Sequence, residues 1–144
     1  MRKAMIVVFV MAIGWSAYTQ TDTTKEAFKR IDGTWIPVSG ELGGQPFPGE
    51  VLKKIKLILK DGQYTAQVGD VADEGSLKLD ATRKPPTMDI LGTKGPNKDK
   101  TILAIYERVD DTLRICYDLG GKKRPTTFQS EKGTQQFFVV YKRQ

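Results

Sequence analysis

Residues 55–68 read IKLILKDGQYTAQV, a stretch that is typical of a β-hairpin. Apolar and lysine side chains alternate in its first half, with Ile55, Leu57 and Leu59 on one face. Such a period of two gives a strand with one apolar face and one wet face. Asp61-Gly62 tolerates positive φ and predicts a tight turn into a second strand. The segment therefore indicates antiparallel β-structure.

The same pattern recurs after Gly33, where short apolar, aromatic and β-branched runs are separated by Gly, Asp, Asn and Pro clusters. Consecutive hairpins with one apolar face must close on themselves or stack as two layers. We predict an all-β fold, a single up-and-down antiparallel β-barrel of about eight strands, with a β-sandwich as the alternative. The predicted strands are Thr34–Ser39, Ile55–Lys60, Gln63–Val68, Ser76–Asp80, Thr87–Leu91, Thr101–Arg108, Thr112–Leu119 and Gln136–Arg143.

Other segments connect or precede these strands. A short helix is expected between Thr21 and Ile31, because Thr23 and Glu26 have the spacing of a capping box. Of the longer connections, Gly40–Lys54 contains a stretch that could form one helical turn across an open end of the barrel. Gly92–Lys100 reads as a polar excursion, and Gly120–Gln135 contains a candidate short extra strand at Arg124-Pro125-Thr126-Thr127-Phe128.

The N-terminus has the pattern of a secretory signal. Met1-Arg2-Lys3 precedes an uncharged run from Ala4 to Trp15, the basic and apolar regions of such a signal. As a helix this run would span only about 18 Å, too short for a stable membrane anchor. We expect residues 1–19 to be a signal peptide cleaved after Thr19, and residues 20–144 to be one exported domain, periplasmic or extracellular. A cut at Ala17 and a buried core helix are the alternatives.

The composition of the chain excludes several classes of catalytic and metal site. The chain has 23 basic and 17 acidic residues, one cysteine, Cys116, and no histidine. Without histidine, no imidazole can activate a serine or cysteine nucleophile, and zinc lacks its commonest nitrogen ligand. The basic residues are scattered among acids, so we expect no nucleic-acid binding. We predict a monomer that is not an enzyme and uses no cofactor.

Two acidic pairs fall where turns are expected, at Asp73-Glu74 and Asp110-Asp111. We interpret both as solvated turn residues, because acid–base catalysis needs carboxyl groups in different environments across a cleft. The stretch from Asp70 to Glu74 lacks the alternating ligand pattern of an EF-hand. We therefore expect no metal site.

Gly33-Thr34-Trp35, which follows the predicted helix, resembles the Gly-x-Trp opening of lipocalins, where the glycine permits a tight entry and the indole plugs the closed end. Further segments along the chain have a shared pattern: Lys84–Ile90, Gly95–Lys98, Ile105–Glu107, Asp110–Tyr117, Arg124–Phe128 and Val139–Arg143. Through them the chain resembles, across about Phe28 to Arg143, the uncharacterised planctomycete-type lipocalin-like domain family. Ala104 departs from that family's usual glycine. The resemblance implies a lipocalin-like fold and frequent export, with no established activity to carry over.

Several residues have a structural and a functional interpretation. Trp35 is expected to plug the core with Arg143 stacked on its indole, although it could line a ligand pocket. Arg124, fixed by Pro125, is expected to pair with an aspartate inside the fold, Asp118 or Asp89, or else to present its guanidinium to an anionic ligand. Cys116 is expected to be packed or half-exposed rather than a reactive thiol of lowered pKa.

The leading functional hypothesis is an exported, non-enzymatic barrel that binds a small apolar or amphipathic molecule. The alternative is a filled barrel that serves as a structural or protein-interaction module of the cell envelope, contacting a protein or an anionic polymer. Candidate ligand-lining residues, chosen by alternation, are Leu57, Tyr64, Met88, Leu113, Ile115 and Val139.

Overall fold

The computed structural model describes residues 18–144, in which eight of nine strands form a closed antiparallel β-barrel. Each barrel strand pairs with its neighbour along the chain, and the two-residue strand β2 pairs only with β1. The predicted signal segment 1–19 lies outside the described residues, except for its last two. The elements are α1 Tyr18–Ile31, β1 Gly33–Leu42, β2 Gln45–Pro46, α2 Gly49–Leu52, β3 Ile55–Lys60, β4 Gln63–Val68, β5 Val71–Asp80, β6 Thr87–Lys94, β7 Thr101–Val109, β8 Thr112–Asp118 and β9 Gln136–Arg143.

Pairing between β1 and β9 closes the barrel. The register runs from Trp35 opposite Arg143 to Leu42 opposite Phe137, and it shifts between Pro37 and Ser39. Pro37 has no N–H to donate to the sheet, and sheets tolerate proline beside a β-bulge such as this one. Closure confirms the predicted up-and-down barrel and removes the two-layer sandwich alternative.

β3, β4 and β9 have the predicted bounds, and β7 and β8 differ from them by one residue at the end. The short strand β2 was not predicted. Three strands are longer than predicted: β1 and β6 continue to Leu42 and Lys94, into the predicted connections, and β5 begins at Val71 instead of Ser76. Asp73-Glu74 is therefore part of a strand and not of a turn, because its backbone pairs with β4. The candidate strand Arg124–Phe128 is wrong: the segment is a loop. The turn at Asp110-Asp111 is confirmed, with φ of 53° at Asp110.

Helix α1 covers one end of the barrel, which we call the closed end. The described part of the helix runs from Tyr18 and ends where predicted. The predicted capping box is wrong, because Thr23 and Glu26 lie inside the helix and not at its first turn. The fully buried Trp35 donates from its indole nitrogen to the carbonyl oxygen of Ile31 at 2.8 Å. The last carbonyls of a helix have no partner within it, so this bond satisfies one of them.

Gly33 provides the tight entry from α1 into β1. Its φ is +137°, a conformation that side chains rarely adopt, and a Cβ there would collide with the guanidinium of Arg143. Arg143 lies over the Trp35 ring, as predicted, with its guanidinium carbon 4.4 Å from the ring centroid. The closed end is thus filled by an aromatic side chain with a cation stacked on it.

The opposite, open end carries the one-turn helix α2 and the long loops. α2 forms within the predicted segment, and its Leu52 is buried against Gly40 of β1, where a Cβ would lie 3.2 Å from the leucine. Packing of Leu52 leaves Val51 at the barrel opening, with 39% of its surface exposed. The helical turn therefore borders the opening without sealing it.

Candidate functional site

The barrel interior contains a cavity of about 370 Å³. Ligand sites in proteins are commonly concave, largely apolar and roughly 300 to 1,000 Å³ in volume, so this cavity lies at the lower end of that range. It exists because the inward side chains near the open end do not meet across the barrel, whereas Trp35 fills the closed end. The cavity is the candidate functional site.

Apolar side chains form most of the cavity wall. They come from all eight barrel strands and from the segment that carries α2, and the cavity wall contains no lysine or arginine. The polar exceptions are Tyr64, Asp73, Asn97, Tyr117 and Tyr141. The apolar lining residues are Leu42, Phe47, Val51, Ile55, Leu57, Leu59, Ala66, Val68, Leu77, Met88, Ile90, Ile102, Ile115, Leu119 and Phe137.

Four of the residues predicted to line an interior do so: Leu57, Tyr64, Met88 and Ile115. The other two, Leu113 and Val139, are buried in the same core cluster but do not line the cavity. Leu113 pairs with Tyr141 near the closed end. Val139 lies between the larger Phe137 and Tyr141 on the same strand face, and these two rings form the wall there. Both predicted positions are therefore corrected from cavity wall to packed core.

The mouth of the cavity lies at the open end. Val51, Val68 and Leu119 line the cavity and are also between 39% and 50% exposed, so the cavity reaches solvent beside them. The ring of Phe47 packs against Phe137 with centroids 5.3 Å apart. The mouth is therefore apolar and is bordered by the α2 segment and two strand ends.

Asp73 is the acidic group of the cavity wall. It faces inward from β5 with 9% of its surface exposed. Its carboxylate accepts hydrogen bonds from the Tyr64 hydroxyl at 3.2 Å, the Asn97 backbone N–H at 3.0 Å and the Asn97 side-chain amide at 2.8 Å. The pKa of Tyr64 is raised by its burial, by the charge of Asp73 and by its hydrogen bond to the Asp73 carboxylate. Tyr64 is thus a neutral donor that holds Asp73 in place.

A missing side chain at Gly75 lets Tyr64 reach Asp73. Gly75 is buried two residues after Asp73, and a Cβ there would collide with the carbonyl oxygen of Leu91 in β6 and would lie 2.7 Å from Cε1 of Tyr64. The phenol ring therefore packs directly on the β5 backbone. Sequence reasoning missed this cluster, although Asp73 and Gly75 continue the inward phase of Leu77.

A second polar pair crosses from β8 to β9. The hydroxyl oxygens of Tyr117 and Tyr141 are 3.0 Å apart, and either can donate to the other. Burial raises the pKa of Tyr117, with a further contribution from Tyr141, and it raises the pKa of Tyr141 to about 12. Both phenols are therefore neutral at ordinary pH and act only as hydrogen-bonding groups.

Arg124 lies outside the cavity, on the outer face of the barrel. Its guanidinium pairs with Asp89, one of the two predicted partners, and donates to the carbonyl oxygens of Ala104 at 2.9 Å and Met88 at 3.2 Å. The other predicted partner, Asp118, accepts three backbone N–H groups of the loop after β8. With Pro125 buried beside it, Arg124 anchors that loop to the barrel.

The loop that Arg124 anchors covers Cys116. The thiol is fully buried and contacts the carbonyl oxygen of Gln129 at 3.4 Å. Burial raises the pKa of Cys116, the opposite of what a reactive thiol requires. The packed-residue interpretation of Cys116 is confirmed.

The described part of the chain holds no cluster of three or more metal-ligating side chains. Within residues 18–144, no helix is long and apolar enough to cross a membrane. Comparisons with family models, curated proteins and solved structures find no match for this chain.

Proposed function

We propose that this protein is an exported, non-enzymatic binding protein that holds one small apolar or amphipathic molecule inside its barrel. The observation that carries the proposal is the cavity of about 370 Å³, apolar on nearly all sides and open at one end. Export rests on the basic and apolar pattern of residues 1–19 and on the resemblance to the lipocalin-like family.

The energetics of the cavity favour an occupant. Side chains around a void lose the dispersion contacts that they would make in a packed core. An apolar ligand restores those contacts and removes its own apolar surface from water, at about 25 cal/mol per Å². Taking about 30 Å³ per water-sized group, the cavity has room for at least about a dozen non-hydrogen atoms. A ten-carbon chain with one polar group is a molecule of that size.

Displacement of a neutral apolar fluorophore, N-phenyl-1-naphthylamine, tests the proposal. We expect the probe to bind the purified protein with enhanced fluorescence and 1-decanol to displace it. Ala66→Phe should weaken both ligands about tenfold or more, because Ala66 lines the cavity and a phenyl ring would occupy it.

Thr65→Phe is the matched control, because it adds the same ring on the neighbouring residue, which points to the opposite face of β4. Thermal unfolding verifies that both variants fold, and Ala66→Leu replaces Ala66→Phe if the larger ring is not tolerated. Calorimetry measures 1-decanol binding directly, because the probe is larger than the alcohol. Absence of binding by both the probe and 1-decanol, or equal effects of Ala66→Phe and Thr65→Phe, would argue against an interior ligand.

The envelope-interaction alternative has a separate observation in its favour. Exposed apolar Val51 lies next to the exposed Lys53 and Lys54 at the open end. Such a mixed patch is a candidate contact for an envelope protein or an anionic polymer. Charge reversal of Lys53, Lys54 and Lys56 to glutamate should abolish capture from an envelope extract if this second function holds, and should leave probe binding in the cavity unchanged.

A further inference from the structure

Asp73 gives the cavity a negative charge that no cation in the described part of the chain balances. The three groups that bond to its carboxylate, from Tyr64 and Asn97, are all neutral. The ion pairs of the described residues do not include Asp73, and the cavity wall contains no lysine or arginine. The cavity therefore has a mostly apolar wall and carries one negative charge.

One acceptor position on Asp73 has no partner among the described residues. An ionised carboxylate offers about four lone-pair sites, and three hydrogen bonds occupy three of them. The unoccupied site is on Oδ1, the oxygen that accepts only the Asn97 backbone N–H, and Asp73 is one of the residues that line the cavity. A second carboxylate there would meet a like charge in a medium of low dielectric, where Coulomb interactions are much stronger than in water.

We propose that Asp73 makes this cavity selective for cationic amphiphiles, with primary alkyl amines bound most tightly, neutral alcohols less tightly and fatty-acid carboxylates excluded. This inference rests on the proposed interior ligand site and names the chemical class that the site accepts. An alkyl ammonium donates to Asp73 and supplies the missing positive charge.

The tyrosine pair accounts for the intermediate rank of alcohols. Tyr117 and Tyr141 share one hydrogen bond, which uses one of their two hydroxyl protons. The second proton has no acceptor among the described residues and is available to a ligand oxygen. An alcohol can accept that proton or donate to Asp73, but it gains no charge–charge attraction from either bond.

The test compares three ligands that share a ten-carbon chain: decylamine, 1-decanol and decanoate. At pH 7.4 the amine is cationic and the carboxylate anionic, because their unperturbed pKa values are about 10 and about 4. Each displaces N-phenyl-1-naphthylamine from the purified protein at concentrations below self-association. We expect decylamine to bind about tenfold or more tightly than decanoate, with decanol between them.

Asp73→Asn removes the charge and keeps the side-chain shape. In this variant decylamine should bind about tenfold more weakly, decanoate more tightly, and decanol nearly as before. Glu74→Gln is the matched control, because it removes the same charge from the adjacent residue, which points outward and pairs with Lys94 at 4.0 Å. Glu74→Gln should leave all three affinities unchanged.

If Asp73→Asn does not fold, Asp73→Ser makes the same test, because serine is neutral, keeps an acceptor oxygen for the Asn97 N–H and adds no volume to the cavity. It should also abolish the preference for decylamine. Wild-type affinities that are equal for decylamine and decanoate, or a preference that survives neutralisation of Asp73, would overturn the charge selectivity while leaving the proposed ligand site intact. Failure of the probe and all three ligands to bind would instead reject the ligand site itself.

Discussion

The guanidinium of Arg143 lies 4.4 Å above the centroid of the Trp35 indole and also donates a hydrogen bond to the carbonyl oxygen of Asp32. The two residues face each other across the β1–β9 pairing that closes the barrel. Arg143 therefore links the end of α1, the first strand and the last strand.

Trp35→Ala should lower the free energy of unfolding by about 3–5 kcal/mol, the usual cost of truncating a large buried aromatic side chain. The fully buried indole fills the closed end, so its removal leaves a void and an unpaired Ile31 carbonyl oxygen. Urea denaturation measures the change, and Trp35→Phe should cost less. A loss below about 1 kcal/mol for Trp35→Ala would show that the indole is not the plug.

Arg143→Met should cost about 1–2 kcal/mol, because it keeps an unbranched apolar side chain but removes the cation from the indole and the donor from Asp32. Lys142→Met is the control: it removes a charge from the adjacent, exposed residue of β9. Denaturation of the two variants in parallel gives the comparison. Equal stability of both variants would contradict a structural role for the stack.

Arg124→Met should expose Cys116. The loss of three bonds to β6 and β7 releases the loop that covers the thiol. Reaction with a disulfide reagent at pH 8 should be slow in the native protein, because burial raises the thiol pKa, and about tenfold or more faster in the variant. Arg83→Met, which breaks the exposed ion pair with Asp80, is the control and should leave the rate unchanged.

Stability should fall at alkaline pH because of the buried phenols. The pKa of Tyr141 is raised to about 12, and those of Tyr64 and Tyr117 are also raised. A tyrosine whose pKa is higher in the folded state than in the unfolded state stabilises the fold. This stabilisation is complete below the unfolded-state pKa of about 10 and is lost as the pH rises through the folded-state pKa. Unfolding free energies should therefore decline between about pH 10 and 12.

Tyr141→Phe isolates the contribution of one phenol to this decline. The variant should lose about 2–3 kcal/mol of the pH-dependent change over the same interval, since two pKa units correspond to that free energy. Urea denaturation at a series of pH values measures it. An identical slope in the variant would mean that Tyr141 is not held neutral by the fold.

The barrel could be predicted from sequence because its signal is local and repeated. The hairpin at Ile55–Val68 has alternation and turn chemistry that suffice for its exact bounds, and β9 is equally clear. The number of such strands and their one apolar face favour a barrel but also allow a sandwich, and the β1–β9 pairing in the structure decides between them. Strand number and alternation need no knowledge of how side chains meet in the interior.

The cavity could not be predicted in the same detail. Alternation shows which side chains face inward, but it does not show how far along the barrel axis each one lies. Leu57 and Leu113 are both inward-facing, yet only Leu57 lies where opposite walls fail to meet. The sequence predicts a turn at Asp73, because a charge interrupts the apolar pattern, although the residue has the same alternation phase as Leu77. An inward-facing charge can be recognised only when the full extent of β5 is known.

A crystal structure of the protein soaked with 10-bromo-1-decanol is the most direct test of an accessible interior ligand site, because the bromine locates the ligand by anomalous scattering. The account predicts one strong anomalous peak inside the barrel, within the space bounded by Leu57, Met88 and Ile115. An interior closed by side-chain packing, with no peak at saturating ligand, would contradict it.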